Sequence, residues 1–210
     1  MISANQALER LQEGNQRFVS GTQTHGALAD EAGHRRGLLP QTKPIAVILG
    51  CSDSRVPVET VFDQGLGDLF VVRVAGNIAA PSQIGSIEFA TERFGTPLVV
   101  VLGHSFCGAV MATIEDLEKP STNQSPGFRE IVEAIRPAVE QAKHESGTES
   151  AADLLQRAVR ANIRASMDRL THGSELLGQL VRKEELSIFG AEYSLATGIV
   201  EFLPALTNDT

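Results

Sequence analysis

Pro44-Ile-Ala-Val-Ile-Leu-Gly-Cys51 is the stretch that decides the fold: a short unbroken apolar run, opened by a proline and closed by a thiol. Such a run is too short for a typical helix and lacks the alternation of a strand with one wet face, so it predicts a strand buried on both sides. Leu69-Phe-Val-Val-Arg-Val74 and Leu98-Val-Val-Val-Leu102 repeat the type, and Ser187-Ile-Phe-Gly-Ala-Glu-Tyr193 predicts a fourth strand before a turn at Ala196-Thr-Gly198. Ser82 to Phe94 and Cys107 to Leu117 carry helical spacing, and strands alternating with helices imply parallel pairing through right-handed crossovers. Residues 128–144 and 151–170 read as two longer helices, with Pro137 expected to kink or interrupt the first. At the start of the chain, Ala7, Leu8, Leu11 and Phe18 lie at helical spacing behind Ser3, which predicts an amphipathic helix ending near Gly14 or Gly21. Its apolar stripe requires a surface to pack against, and residues 22–42 read as loop or short helix. The expectation is one α/β domain over residues 1–210: a mostly parallel central sheet of at least four strands flanked by helices, with an N-terminal helical extension.

Composition narrows the function. With 42% apolar and 21% charged residues and no long apolar run, the sequence is that of an ordinary globular protein, not a membrane-spanning one. A formal charge of -8 and a pI near 5.1 would repel a phosphate backbone, so nucleic acid is excluded as a partner. Met-Ile-Ser-Ala-Asn-Gln has no basic region leading into an apolar stretch, and a cytoplasmic location is expected. The two cysteines, 56 positions apart, are too few for a disulfide framework and too distant for a Cys-x-x-Cys redox pair.

Their placement points to metal. Cys51 directly follows the first predicted strand, and His104 follows the third with only Gly103 between. In open parallel sheets, ligands bind at the carboxyl ends of the strands. His104-Ser-Phe-Cys107 adds a second thiol at the start of a helix, whose dipole favours a thiolate. Two sulfurs and an imidazole make a zinc ligand set, and three protein ligands are the usual number at a catalytic zinc site. Cys51-Ser-Asp-Ser-Arg55 then sets a carboxylate and a guanidinium two and four residues after the first ligand. If that loop is extended, all three side chains face one site, and Arg55 clamps Asp53 in a bidentate pair. Unclamped, Asp53 would be a possible fourth ligand; clamped, it would accept a proton or hydrogen bond. His25, His34, His144 and His172 lack partner spacing and read as surface residues. Gly65-Leu-Gly67 precedes a strand rather than opening a helix, which argues against a dinucleotide-binding loop.

With Cys51-Ser-Asp-Ser-Arg-Val56 and Gly103-His-Ser-Phe-Cys-Gly-Ala109 in hand, the chain resembles the β-class carbonic anhydrases of bacteria. The likeness runs from about Asn5 to Phe202 and includes Phe62-Asp-Gln-Gly-Leu-Gly-Asp-Leu-Phe-Val-Val-Arg-Val-Ala-Gly-Asn77 and Gly85-Ser-Ile-Glu-Phe89. The resemblance implies one Zn2+ per chain on Cys51, His104 and Cys107, a catalytic pair Asp53 and Arg55, and Gly108 beside the bound anion. It implies reversible hydration of carbon dioxide to bicarbonate and a proton by attack of zinc-bound hydroxide. Phe70, Ala75 and Phe89 are nominated for the substrate pocket, with Gln41 near the place of a glutamine that the family donates across a dimer interface. The resemblance further implies a homo-oligomer, dimer or tetramer, with the N-terminal arm of residues 1–40 on the partner subunit. Some family members close the site with the aspartate on zinc, stabilised by bicarbonate in a Trp, Arg and Tyr pocket. Ile48 stands at the Trp position here, beside matching Arg73 and Tyr193, which disfavours that regulation and leaves open an acid-closed form through Asp53. A zinc-holding module without turnover, and carbonyl sulfide or carbon disulfide as substrate, are the competing readings.

Overall fold

A computed structural model of the chain describes residues 2–24, 42–120, 122–144 and 150–203. Strands β1 (Ala46–Gly50), β2 (Leu69–Arg73), β3 (Leu98–His104) and β4 (Ser187–Tyr193) join a fifth, β5 (Val200–Phe202), in one sheet ordered β2-β1-β3-β4-β5. The first four pair in parallel. β5, three residues long and without a sequence signal of its own, folds back antiparallel on β4. Every residue of β1 and β3 is buried. That is why these runs show no alternation: both faces of the sheet are covered.

The helices are α1 (Ala4–Ser20), α2 (Val58–Val61), α3 (Pro81–Phe94), α4 (Gly108–Glu118), α5 (Pro126–His144), α6 (Ala151–His172) and α7 (Glu175–Arg182), with a 3-10 turn at Ala75–Asn77. On one face of the sheet Val47, Leu49, Val99 and Val101 pack with Ile87, Val110, Ile135, Ile163 and Leu177 from α3 to α7. On the other, Ile48, Val100 and Leu102 pack with Ala7 and Leu11 of α1 and Val58 and Val61 of α2. α5 continues through Pro137 to His144 instead of stopping there. α6 lies close on the sheet because two strand positions lack side chains: a Cβ on Gly103 or Gly190 would fall 2.6 or 2.7 Å from atoms of Ile163.

α1 begins at a capping box, in which the Ser3 hydroxyl accepts from the Gln6 N–H and the Gln6 side chain accepts from the Ser3 N–H. It ends at Gly21, whose left-handed φ of 70° closes the last turn. Gly14 does not terminate it. There the helix backs onto the residues after α2, and a Cβ would sit 1.8 Å from the Phe62 carbonyl oxygen. Buried Asn15 donates to the carbonyls of Val61 and Gly198 and accepts from the Val200 N–H, while Arg10 and Arg17 pair with Asp68 and Asp63. Ala7 and Leu11 are thereby fully buried within this chain. Ala7 and Leu11 of the stripe thus meet this chain's own sheet, and Gly14 is small enough for the close approach to Phe62. Residues 25–40 of the expected arm, with His25 and His34, lie outside the described residues.

Candidate metal centre

β1 and β3 are adjacent and parallel, so their carboxyl ends open on the same edge of the sheet. Cys51 directly follows β1. β3 runs two residues beyond the expected Leu102, so His104 is its last residue and pairs with Tyr193 of β4. Between them and α4, Phe106 takes a left-handed φ of 56°, which costs a non-glycine residue about 1–2 kcal/mol. That tight turn returns Cys107, the N-cap of α4, toward His104. The two Sγ atoms and an imidazole nitrogen lie within 4.8 Å of one another, and all three residues are buried.

The donor set fits a zinc ion. Nδ1 of His104 lies 2.9 Å from the Ser105 carbonyl oxygen, which can only accept, so Nδ1 carries the proton and Nε2 offers its lone pair. That Nε2 is buried without a hydrogen-bond partner. Burial alone favours the neutral ring, but the Cys51 sulfur, the Ser105 carbonyl and Asp53 outweigh it and raise the pKa above the ordinary histidine value. The surroundings attract positive charge to Nε2. The thiols respond oppositely to one another: the hydrogen bond from Cys107 pushes Cys51 down against burial, with help from His104 and backbone groups, while the same bond and burial push Cys107 up. A dication placed among these donors would let both sulfurs ionise. The N–H groups of Ala109 and Val110, in the first turn of α4, favour the Cys107 thiolate.

Asp53 is clamped. Arg55 Nε and Nη2 reach its two carboxylate oxygens at 2.9 and 2.7 Å, and the Arg55 backbone N–H adds a third bond at 2.9 Å. These bonds hold the Asp53 carboxyl well below the usual carboxylate range, against burial. The segment is a turn and not the extended loop expected, since the Val56 N–H reaches the Asp53 carbonyl. The pairing survives because Asp53 caps its own turn while its side chain faces back along it. Asp53 Oδ2 stands 3.9 Å from His104 Nε2, beside the ligand set.

Of the remaining nominated residues, Ala75 and Gly108 flank the centre. Ala75 immediately precedes the Gly76 N–H, which lies 3.4 Å from the Cys51 sulfur, and Gly108 follows Cys107 with open space where a Cβ would project. Phe70 and Phe89 sit elsewhere in the same chain, grouped with Phe94 at centroid separations of 5.7–6.3 Å along the edge strand β2. Phe70 is paired with Val47, three residues and roughly 10 Å down the strand from Arg73. Gln41 lies outside the described residues. Arg73 has a role that no motif announced: its Nε donates to the Cys51 carbonyl and its Nη2 to the Asp53 carbonyl, at 2.9 and 2.7 Å. The resemblance marks Arg73 for a bicarbonate pocket and not for this backbone contact, whose local signal is a charged residue closing an otherwise apolar strand at the sheet's functional edge. Among the described residues no helix is long and apolar enough to cross a membrane.

A family model described as carbonic anhydrase matches residues 46–200. Carbonic anhydrase 2 of Mycobacterium tuberculosis is 39% identical over 194 residues, covering 91% of this chain and 89% of its own. A β-carbonic anhydrase of Aspergillus fumigatus superposes with a TM-score of 0.74 at 25% identity, covering 86% of this chain and 87% of that one. A tetrameric β-carbonic anhydrase from the ascomycete Sordaria macrospora gives 0.73 at 21% identity, over 84% and 89% of the two chains.

Proposed function

The chain belongs to the β-class carbonic anhydrases, and from that membership we propose that it hydrates carbon dioxide reversibly to bicarbonate and a proton, with one zinc ion on Cys51, His104 and Cys107. The observation that carries the proposal is the convergence of those three buried donors, with His104 Nε2 bare and its tautomer set by Ser105. A zinc ion held there supplies the Lewis acidity that makes water a nucleophile near neutral pH. The chain's own residues do the rest. Cys51 and Cys107 balance the ion's charge, which weakens its pull on water relative to three neutral imidazoles, so Asp53 must help. Held by Arg55, Asp53 keeps a carboxylate beside the centre as acceptor of a hydrogen bond or proton, and stays off the metal. Arg73 fixes the backbone that carries both Cys51 and Asp53. Gly108, with no side chain, leaves room for a three-atom substrate and its planar anionic product.

We propose further that the chain works as a homo-oligomer. Phe70 of edge strand β2 and Phe89 and Phe94 of α3 form an aromatic patch, with Phe89 53% exposed, and a second copy seated there would bury it and set these rings at a pocket shared between the two chains. Light scattering reporting the mass of one chain would refute this assembly. A reducing, cytoplasmic setting suits a site built on two free thiols.

Stopped-flow hydration of carbon dioxide on metal-quantified protein tests the activity, with wild type beside Cys51→Ser and Asp53→Ala. The expected result is stoichiometric zinc and rapid turnover in wild type, zinc lost from Cys51→Ser, and zinc retained in Asp53→Ala with a rate lower by about 100-fold or more. Stoichiometric zinc with negligible turnover in wild type overturns the enzymatic reading and leaves a metal-binding module.

A further inference from the structure

α6 carries two buried polar residues in a stripe that is otherwise apolar. Asn162 and Ser166 are 2% and 3% exposed and lie one helical turn apart, among Val159, Ile163, Met167 and Leu170. Burying such groups is unfavourable unless they are bonded. Both are, and both bonds go to the same short stretch of backbone: Asn162 Nδ2 donates to the Gly76 carbonyl at 2.7 Å, and Ser166 Oγ donates to the Asn77 carbonyl at 3.0 Å. These carbonyls belong to the 3-10 turn whose Gly76 N–H meets the Cys51 sulfur. Gly76 and Asn77 both have left-handed φ, at 70° and 45°, a conformation that needs external support, above all at the asparagine. The other end of the Gly76–Asn77 peptide is fixed by the Asn77 N–H on the Val74 carbonyl. The same helix presses Ile163 onto Gly103, the residue before His104. One face of α6 therefore sets the position of the His104 strand and of the donor to Cys51 together.

We propose that Asn162 and Ser166 are positioning residues of the metal centre: by holding the carbonyls of Gly76 and Asn77 they aim the Gly76 N–H at the Cys51 sulfur. The inference rests on the metal-centre reading above. An N–H directed at a ligating sulfur withdraws electron density from it, so the brace sets how strongly Cys51 donates to the ion. Releasing the brace lets the turn relax: the sulfur gains electron density but loses its fixed position, and the lost positioning outweighs the stronger donation in affinity for the ion.

The experiment compares wild type, Asn162→Ala, Ser166→Ala, Ser166→Thr and Leu170→Val, each loaded with Co2+ for electronic spectroscopy and with Zn2+ for competition against a chromophoric chelator. Both alanine variants are expected to move the sulfur-to-cobalt charge-transfer band to longer wavelength and to weaken zinc binding by about 10-fold. Ser166→Thr, which keeps the hydroxyl, restores the wild-type band. Leu170→Val, which trims a fully buried side chain on the same helix beyond the brace, lowers the melting temperature and leaves the band unmoved. Folded Asn162→Ala and Ser166→Ala proteins with wild-type spectrum and affinity would overturn the proposal. If Asn162→Ala does not fold, the Ser166 pair decides alone. A wild type that takes up neither metal refutes the metal centre itself, an outcome distinct from failure of the brace.

Discussion

Replacing Gly76 by alanine separates two costs that the structure places on one atom. The new Cβ would demand a left-handed φ of 70° from a residue that resists it, and it would lie 2.6 Å from Ile135 Cδ1 and 3.2 Å from Ala109 Cβ. The backbone penalty is about 1–2 kcal/mol. Overpacking against fully buried Ile135 adds about 1–3 kcal/mol. Gly76→Ala should thus destabilise the chain by about 2–5 kcal/mol in total. Ile135→Val removes the offending Cδ1 and on its own costs about 1 kcal/mol. In the double variant the nearest Ile135 atom at 2.6 Å is gone and the remaining Cγ1 contact is an ordinary 3.5 Å, so most of the overpacking vanishes while the φ cost stays. The double-mutant cycle should therefore show a favourable coupling of about 1–2 kcal/mol, well outside the few tenths expected of independent sites. Urea unfolding of metal-free protein is the assay, because bound zinc would add its own stabilisation to every corner of the cycle. Strict additivity would mean that Ile135 does not confine Gly76, and the close packing of α5 on the metal-site turn would be wrong.

Removing zinc with a chelator should lower the melting temperature: an ion present at about 1,000 times its dissociation constant contributes about 4 kcal/mol to the folded state, worth roughly 10 °C in a chain of this size. Equal melting of the metal-loaded and stripped forms in calorimetry would argue against binding at Cys51, His104 and Cys107. Gly14→Ala drives a Cβ into the Phe62 carbonyl, which cannot rotate away, so α1 must lift from the sheet and expose Leu11, a loss of about 2 kcal/mol or more from that side chain alone. Trypsin should then cut at Arg10 and Arg17 sooner than in wild type, and unchanged cleavage would place α1 elsewhere. Glu133 has its pKa lowered, first by the Arg136 hydrogen bonds, so its folded form favours the charged state. Its contribution is fully present above the ordinary glutamate value of 4.5 and is lost as pH falls from there through the lowered folded value. Glu133→Gln should be less stable than wild type near neutral pH with the gap closing in acid, as urea midpoints across pH would show.

Much of this molecule could be read from residue order because the signals are local. β1 and β3 are buried on both faces, and that environment leaves an uninterrupted apolar run. α1 and α6 start at serines that cap them with residues three positions on. Shorter elements escaped: α7 spans eight residues and β5 three, too few to establish a period. Cys51, His104 and Cys107 stood out because a strand end determines where its next residue points, and Asp53 with Arg55 because residues two apart can face one site, although a turn and not an extended loop brings the pair together.

What sequence alone determined about this protein is the alternation of strand and helix and the chemistry waiting at the strand ends. Tertiary structure alone decided which groups hold that chemistry in place. Nothing near Asn162 or Ser166 distinguishes them from other polar helix positions, and their partners at Gly76 and Asn77 lie 86 and 89 residues earlier. The same is true of Arg73, whose targets are backbone carbonyls that any sequence would provide, and of Gly14, whose small size matters only because the Phe62 carbonyl is directly opposite. Local rules report what a residue can do, whereas hydrogen bonds to distant backbone depend on a geometry that exists only once the sheet and its helices have packed.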